Sequence, residues 1–485
     1  MKRRNALKIL AISAAASPLA ARSAEISARE RNPILADPEL MYESSSPSSV
    51  FPKVFEAGKS ANIRIEWTQI PPDAKLVCAS EDGFDLVGNP YFPEYRTIFK
   101  NSSVEGRPPQ PDDFSTSAQP VAFEADAAGI RVRAVFPKEG RYVFALRSGK
   151  KTIARAWVFA LNSDLFCLRP YRGDIHMHST FSDGKNTNLE MALKGLSLGY
   201  DFMAVSDHRR YIGSVDLIEK LKDAPLSMSL FNGEEAHASL VHTNNFGSSG
   251  GIEEWTRANR ADFDARTNRI LKTVPASLRL SELDVLTLAQ TEAVYERIAE
   301  TGGLSVFNHP YWRRNGEQLD VSDALRDALI SRGKFDAFEI VNGAINYDST
   351  DLCIARHAEA AAEGKYMPVV GCSDAHRADE LGLGATIAFA KSNKLADVKE
   401  AIKGLKTVAV DSSGGFMRPK FAGKLRLMKY ASFLWKNFFP LHDELCAEES
   451  GALGAYLTQK SPENLENLRK KAENVSQFYA KAGFR

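Results

Sequence analysis

The stretch from Arg172 to Gly184, RGDIHMHSTFSDG, places three metal-capable side chains directly after an apolar, strand-like run. His176 and His178 are two positions apart, so on an extended segment both imidazoles point to the same side. Asp183 follows them. Imidazole and carboxylate are common ligands of transition metals. The pattern predicts that both histidines reach one cation; the alternative for this stretch alone is two surface histidines.

The later predicted strands also end in metal-capable side chains. DFMAVSDH ends in Asp207 and His208, LSMSLFNGEE in Glu234 and Glu235 with His242 soon after, GLSVFNHP contains His309, FDAFEIVNG contains Glu339 and Asn342, and MPVVGCSDAH ends in Asp374 and His376. Six of the nine histidines belong to this set. Active sites of parallel barrels lie at the C-terminal ends of the strands, so one topology would gather these side chains. The number of candidate histidine and carboxylate ligands exceeds the four that a single zinc ion requires, so the sequence predicts two or three divalent cations. Zn, Mn and Fe are the candidate metals.

The elements that position these side chains alternate between strand and helix after Cys167. Apolar periodicity predicts helices at about 188–198, 288–301, 351–364 and 395–404, between the strands named above and a further strand at ATIAFA. This alternation predicts parallel strands with crossover helices, as a barrel or a doubly wound sheet. Residues 51–165 instead consist of short runs rich in β-branched and aromatic residues, which predict an antiparallel β-sandwich that contains no histidine.

Length and composition bound the remaining expectations. A chain of 485 residues predicts two or three domains, and 62 basic against 61 acidic residues give no reason to expect a nucleic-acid partner. Residues 1–24, with Arg3 and Arg4, predict a twin-arginine export signal and hence a periplasmic or secreted protein. The alternative is a basic N-terminal helix that stays attached.

The other segments are less specific. Residues 25–50 are rich in Ser and Pro and predict a linker, whereas residues 416–485 predict a helical extension that packs on the barrel or on a second copy in a homo-oligomer. No run is long and apolar enough for a membrane span. The five cysteines have no close spacing, so they predict no cysteine zinc site.

The motifs HMHSTFSDG, SDH, GEE with a later histidine, NHP and SDAH resemble, in order, those of the PHP (polymerase and histidinol phosphatase) family over about residues 170–390. Their style is closest to the carbamate and ester hydrolase branch. The resemblance implies a distorted (β/α)7 barrel at 166–415 with up to three metals. One metal would be bound by His176, His178, Glu235 and Asp374; a second by Glu235, His242 and His309; a third by Asp183, His208 and His376. The family pattern Gly-x-Glu selects Glu235, but a shift of strand register would exchange it with Glu234.

The function expected from these residues is hydrolysis of a small phosphate ester by a metal-bound hydroxide. Asp207, Arg209 and Arg313 are the candidate catalytic residues, while Asp174, Glu339, Asn342, Arg210 and Arg314 are expected to hold the substrate or orient the ligands. Capping roles for the aspartates and solvated loop charges for the arginines are the alternatives. Two other functions stay open: a carboxyl-ester or carbamate hydrolase on the same metals, and a non-catalytic binding protein in which the β domain acts.

Overall fold

The computed structural model describes residues 50–67, 69–81, 119–149, 151–314, 318–344, 347–415 and 419–484. The predicted export signal and, except for Val50, the predicted linker lie outside these residues and stay predictions. The described chain is a mixed α/β protein with two compact units. Residues 168–432 and 442–477 form the larger unit, and residues 50–167, 433–441 and 478–484 form the smaller one. The residues of the predicted C-terminal extension are thus distributed over both units.

The smaller unit is built from two sheets around one apolar core. Its strands are β1 (Val50–Phe51), β2 (Val54–Glu56), β3 (Ser60–Ile65), β4 (Lys75–Ser80), β5 (Gln119–Val121), β6 (Phe123–Asp126), β7 (Gly129–Val135), β8 (Gly140–Ser148) and β9 (Lys151–Leu161), followed by the short helix α1 (Ser163–Phe166). The sheet orders are β1-β3-β7-β6 and β2-β9-β8-β4-β5. Alternate side chains of both sheets, including Ile63, Val132, Phe144 and Val158, are buried together, as period-two patterning requires.

The larger unit contains two sheets that supply the strand ends of interest. Its strands are β10 (Arg169–Asp174), β11 (Phe202–Met203), β12 (Ser229–Leu230), β13 (Gly233–Ala236), β14 (Thr243–Phe246), β15 (Leu304–Phe307), β16 (Arg313–Arg314), β17 (Gln318–Leu319), β18 (Ala337–Asn342), β19 (Val369–Cys372), β20 (Gly384–Ala390), β21 (Thr407–Asp411) and β22 (Lys420–Gly423). One sheet has the order β12-β11-β10-β20-β21-β22 and the other β13-β14-β15-β18-β19, while β16 and β17 form a separate hairpin.

Helices connect and cover these strands. They are α2 (Asn188–Ser197), α3 (Ile212–Leu221), α4 (Ile252–Ala258), α5 (Arg260–Leu271), α6 (Glu282–Glu300), α7 (Asp323–Arg332), α8 (Tyr347–Ala362), α9 (Leu395–Lys403), α10 (Leu425–Asn437), α11 (Phe439–Thr458) and α12 (Pro462–Lys481). The first of them, α2, starts with a reciprocal cap between Thr187 and Glu190. It ends before Gly199, whose φ of +81° suits a residue without a Cβ.

Strand direction is only partly as predicted. The pairs β10–β11, β11–β12, β15–β18 and β18–β19 are parallel. Strand β20, which contains ATIAFA, runs antiparallel to β10, and β14 runs antiparallel to both of its neighbours, β13 and β15. Two parallel bridge pairs join the two sheets: Met177 with Ala375, just beyond the ends of β10 and β19, and His208, beyond β11, with Glu235 of β13. The candidate ligands of both sheets are therefore brought to one place.

The five cysteines are all unpaired: Cys353, Cys372 and Cys446 are buried, Cys78 is half-buried and Cys167 is exposed. None of the helices in the described part of the chain is long and apolar enough to cross a membrane.

Candidate metal centre

The first group of candidate ligands lies where the ends of β10 and β19 meet. The His178 backbone N–H donates to the Ala375 carbonyl at 2.8 Å, and the Asp374 N–H donates to the His176 carbonyl at 2.9 Å. This pairing places Asp374 Oδ1 3.2 Å from His176 Nε2 and 2.9 Å from His178 Nε2. The three side chains are buried. Their ligand atoms are close enough together to bind one cation.

Glu235 lies at the centre of the cluster and separates the histidines into two sets. Its Oε1 lies 3.4 Å from His176 Nε2, 3.1 Å from His242 Nδ1 and 3.1 Å from His309 Nε2. Its Oε2 lies 2.5 Å from His208 Nδ1 and 3.7 Å from His178 Nε2. A carboxylate in this position can bridge two cations, one at each oxygen.

The register of β13 settles which glutamate faces the cluster. Glu234 points the other way, and its carboxylate accepts from the backbone N–H groups of Ile252 at 2.6 Å and Glu253 at 3.2 Å, at the start of α4. The short spacing between Glu235 and His242 also has a structural reason. Strands β13 and β14 form an antiparallel hairpin, which returns His242 to the side of Glu235.

A third group lies further towards solvent. Asp183 Oδ2 is 3.6 Å from His208 Nε2, and Asp183 Oδ1 is 3.5 Å from His376 Nε2. His178 also contributes a ligand atom to this group. The Asp183 side chain is 55% exposed, whereas those of His208 and His376 are 24% and 33% exposed. This part of the cluster is therefore the one that a molecule in solution reaches first.

The donor atoms fit divalent cations better than they fit one another. Four of them are buried and have no hydrogen-bond partner among the described residues: His176 Nε2, His178 Nδ1, Glu235 Oε2 and His242 Nδ1. Burying unsatisfied polar groups is costly. Imidazole nitrogen and carboxylate oxygen are also the ligand types that zinc, manganese and iron accept. Cations bound between these atoms would satisfy them.

The electrostatics agree with this interpretation. Burial alone would lower the pKa of His176, but the carboxylates of Asp374, Glu339 and Glu235 raise its pKa well above the usual range. Burial would likewise raise the pKa of Glu235, yet His176 and His242 hold it well below its ordinary value. The carboxylates thus favour positive charge at the centre of the cluster, as a cation site must.

The backbone at two ligand positions is strained. His309 has a φ of +24° and Asp374 a φ of +54°, which side chains other than glycine rarely adopt. Such conformations cost about 1–3 kcal/mol each and persist where the surroundings impose them, often at functional sites. They place both side chains on the cluster side of their strand ends.

Two predicted supporting residues, Glu339 and Asn342, hold the ligands. Glu339 Oε1 lies 2.8 Å from His176 Nδ1, and its Oε2 accepts from the His309 backbone N–H at 2.6 Å. The Asn342 amide donates to Glu339 Oε2 and to Asp374 Oδ2, both at 3.1 Å. Such carboxylate partners fix the ring orientation and the tautomer of a ligand histidine.

Asp174 connects the ends of β10 and β19. It accepts from the backbone N–H groups of His176 at 3.1 Å and Ser373 at 3.2 Å. Burial raises the pKa of Asp174 to about 7. Its contacts position the His176 and Asp374 backbones and do not involve a ligand atom among those described.

We expect Glu339→Gln to weaken metal binding without unfolding the chain. The amide keeps the size of the side chain but removes the charge that orients His176, so the affinity for the tightest ion should fall about 10- to 100-fold. Competition with a zinc-sensitive chelating dye measures this loss. Asp336→Asn is the control, because the Asp336 carboxylate accepts from the Ser305 backbone N–H at the other end of β15, away from the cluster. Unchanged metal affinity in Glu339→Gln would contradict the orienting role of Glu339.

Asp207, the predicted catalytic aspartate, is buried beneath the cluster. Its carboxylate accepts from the Ser179 backbone N–H at 2.6 Å, the Ser179 hydroxyl at 2.8 Å and the Ser182 hydroxyl at 2.9 Å. These bonds hold the turn between His178 and Asp183. The geometry favours a positioning role over contact with reacting atoms.

The predicted arginines have different surroundings. Arg209 and Arg210 are exposed directly after His208, and no acidic partner is found for either side chain in the described part of the chain. Arg313 lies in the β16–β17 hairpin, where its Nε is 3.4 Å from Asp348 Oδ2 on α8. The backbone of Arg314 pairs with Gln318 in the same hairpin. Arg209 and Arg210 are therefore the better candidates for binding an anion.

Three side chains at the centre were not among the predicted site residues. His237 Nε2 lies 3.0 Å from His208 Nδ1, Asn308 donates to Glu235 Oε1 at 3.0 Å, and the Trp312 ring lies 5.6 Å from both His242 and His309. By sequence, His237 is only a weak reserve ligand, on the ground that it lies two residues after Glu235. Asn308 belongs to the NHP motif and could have been included on that ground.

Parts of the chain are similar to known proteins. Residues 355–407 match the family described as "PHP-associated". Over 73 residues the chain is 37% identical to the DNA polymerase/3'-5' exonuclease PolX of Bacillus subtilis (strain 168), which corresponds to 15% of this chain and 13% of that relative. The chain therefore spans only a small part of the length of this curated relative.

Two solved structures show weaker similarity. One is a two-domain protein from Bacteroides vulgatus ATCC 8482 containing a predicted PHP-like metal-dependent phosphoesterase; it is 16% identical, with a TM-score of 0.37, over 56% of this chain and 71% of that one. The other is an amidohydrolase from Chromobacterium violaceum with bound sulfate, 18% identical with a TM-score of 0.29 over 42% and 87% of the two chains. TM-scores in this range do not establish a shared fold.

Proposed function

We propose that the chain is a PHP-family metal-dependent hydrolase that acts as a phosphoesterase on a small phosphate ester; the match of residues 355–407 to the PHP-associated family and the short similarity to PolX support this proposal. The observation that carries the proposal is the Glu235-centred cluster, in which imidazoles and carboxylates converge and four buried atoms have no hydrogen-bond partner among the described residues. A purely structural core would pair these atoms with one another or replace them with apolar side chains.

Two or three divalent cations are proposed as the cofactors, held by the three groups described above. When bound, such cations supply Lewis-acid activation of water and stabilise negative charge on the reacting ester. Glu235 would contribute to holding two of them, because its two oxygens face different sets of histidines. Glu339 and Asn342 keep the His176 ring and the Asp374 carboxylate in place, so that little reorganisation is needed during the reaction.

Binding of the substrate is assigned to the exposed side of the cluster. Asp183, His208 and His376 are partly open to solvent there, and Arg209 and Arg210 follow His208. Guanidinium groups suit phosphate oxygens because they can donate two parallel hydrogen bonds. The exposed arginines favour a phosphate over a neutral ester at this entrance.

We further propose that the two sheets of the larger unit correspond to the distorted (β/α)7 barrel implied by the family. The parallel pairs among β10, β11 and β12 and among β15, β18 and β19 support this proposal, as do the two bridge pairs that join the sheets. The antiparallel hairpin β13–β14 would then be the main distortion.

The proposed activity is tested with protein loaded with zinc or manganese and offered p-nitrophenyl phosphate, bis-p-nitrophenyl phosphate and p-nitrophenyl acetate. We expect turnover of a phosphate ester that is lost in His178→Ala. The matched control is His357→Ala, because the ring of His357 lies 3.0 Å from the Met367 carbonyl, outside the cluster. Hydrolysis of the acetate ester alone would instead support a carboxyl-ester hydrolase, and no turnover by fully metal-loaded protein would contradict both.

A further inference from the structure

His237 occupies a position that the three predicted groups of ligands leave out. It follows β13 two residues after Glu235, and its backbone N–H donates to Glu253 Oε1 at 2.9 Å. Its ring stacks on that of His242, with 3.9 Å between the ring centroids. The side chain is only 13% exposed. The bond to Glu253 therefore holds the His237 backbone and the stacking on His242 holds its ring, while His237 Nε2 faces the cluster.

The atoms that face His237 Nε2 are a buried carboxylate oxygen and an imidazole nitrogen. Glu235 Oε2 is 3.5 Å away and His208 Nδ1 is 3.0 Å away, while these two atoms are 2.5 Å apart. With metal–ligand bonds of about 2.0–2.2 Å, the ligand atoms of a tetrahedral ion lie roughly 3.3–3.6 Å apart. The separation of His237 Nε2 from Glu235 Oε2 suits a shared ion, whereas His208 Nδ1 would move away from Glu235 Oε2 by about 1 Å. The Glu235 side chain is fully buried, and Oε2 has no hydrogen-bond partner among the described residues.

From this geometry we propose that His237 is a metal ligand, completing a cation site with Glu235 Oε2 and His208 Nδ1. The inference rests on the metal-dependent function proposed above and adds a ligand to it. The site would bind a divalent transition metal such as zinc, because two of its three donors are imidazoles.

The placement of His208 limits how this site and the outer group can be filled. Its Nε2 faces Asp183 at 3.6 Å while its Nδ1 faces Glu235 and His237. A neutral imidazole has one lone pair, so it can serve as a ligand through only one ring nitrogen. His237 supplies an independent nitrogen, so that the Glu235 Oε2 site does not depend on His208 alone.

The proposal is tested by counting bound zinc in the full chain and in His237→Ala, with elemental analysis after equilibrium dialysis and calorimetric titration. We expect His237→Ala to lose one ion per chain or to bind it at least 10-fold more weakly, with an unchanged circular dichroism spectrum. His237→Gln, which keeps most of the side-chain volume, should behave in the same way. His357→Ala should bind the wild-type number of ions.

A second measurement detects coordination itself. X-ray absorption of the zinc-loaded protein should show fewer imidazole ligands per zinc in His237→Ala than in the wild type. Wild-type stoichiometry, affinity and imidazole count in both His237 variants would overturn the proposal and leave a hydrogen bond to His208 as the role of this residue. Loss of the ion would support it even if no phosphate ester is hydrolysed, whereas a wild-type protein that binds no metal would overturn this inference and the proposed function together.

Discussion

Glu235→Gln should reduce phosphate-ester hydrolysis on the order of a thousand-fold or more. The substitution keeps the shape of the side chain but removes the charge that faces two sets of histidines from its two oxygens. Lewis-acid stabilisation by bound metals lowers the activation barrier by several kcal/mol, and each 1.36 kcal/mol is a factor of ten in rate. Steady-state kinetics under saturating metal measure the loss.

The neighbouring substitution Glu234→Gln is the matched control. Glu234 is also a glutamate on β13, but its carboxylate accepts hydrogen bonds from the first backbone N–H groups of α4. We expect near-normal activity and a decrease of about 0.5–2 kcal/mol in the free energy of unfolding. If Glu235→Gln retained most of the activity, or if Glu234→Gln lost it, Glu235 would not be the bridging carboxylate.

Removing the metals should lower the melting temperature on the order of 10 °C. Chelation leaves buried imidazole and carboxylate atoms without partners, and metal bound only to the folded state adds its binding free energy to stability. At a free ion concentration a thousand times Kd this term is about 4 kcal/mol per ion, and about 2–4 °C accompany each kcal/mol in a large domain. Calorimetry of metal-loaded and chelator-treated protein measures the difference.

The same experiment on Glu235→Gln provides the control for chelation. Because this variant should bind metal poorly, adding the chelator should change its melting temperature little. Equal shifts in the variant and the wild type would show that the chelator acts elsewhere, and the absence of any shift in the wild type would contradict a folding-coupled metal centre.

The sequence could predict which imidazoles and carboxylates lie together, because these residues stand at the ends of predicted strands. Histidines and carboxylates that repeatedly follow apolar runs are recognisable without any structure, and a parallel arrangement brings them together. His176, His178 and Asp374 lie in contact for this reason, beyond the ends of β10 and β19. The mixed α/β class was likewise predicted and is confirmed. The match of residues 355–407 to the PHP-associated family supports the predicted PHP resemblance, whereas the comparisons do not identify the carbamate and ester hydrolase branch.

Other features of the fold and of the candidate site depend on strand pairings that the local sequence does not encode. LSMSLFNGEE looks like one strand, but it divides into β12 and β13, which belong to different sheets. The hairpin that follows makes His242 and His237 neighbours of Glu235. ATIAFA has the composition of a buried parallel strand, yet it is antiparallel to β10. The sequence could not predict this pairing, because a strand that is buried on both faces gives no sign of its direction.

Whether Arg209 and Arg313 have ion-pair partners could not be predicted from the sequence either. Arg209 and Arg313 are equivalent by sequence, since each follows a histidine motif on a loop. Only the fold shows that α8 offers Asp348 to Arg313. A long charged side chain takes the partner that tertiary structure places within reach, and sequence spacing does not reveal that partner.

The central claim is that the Glu235-centred cluster binds transition metals. The most direct measurement is an anomalous-difference map, recorded at the zinc absorption edge, from crystals of the protein grown with zinc. We predict peaks about 2.0–2.2 Å from the ligand atoms, with one peak near each oxygen of Glu235. A map without peaks at this cluster, with its imidazoles and carboxylates hydrogen-bonded to one another, would contradict the account.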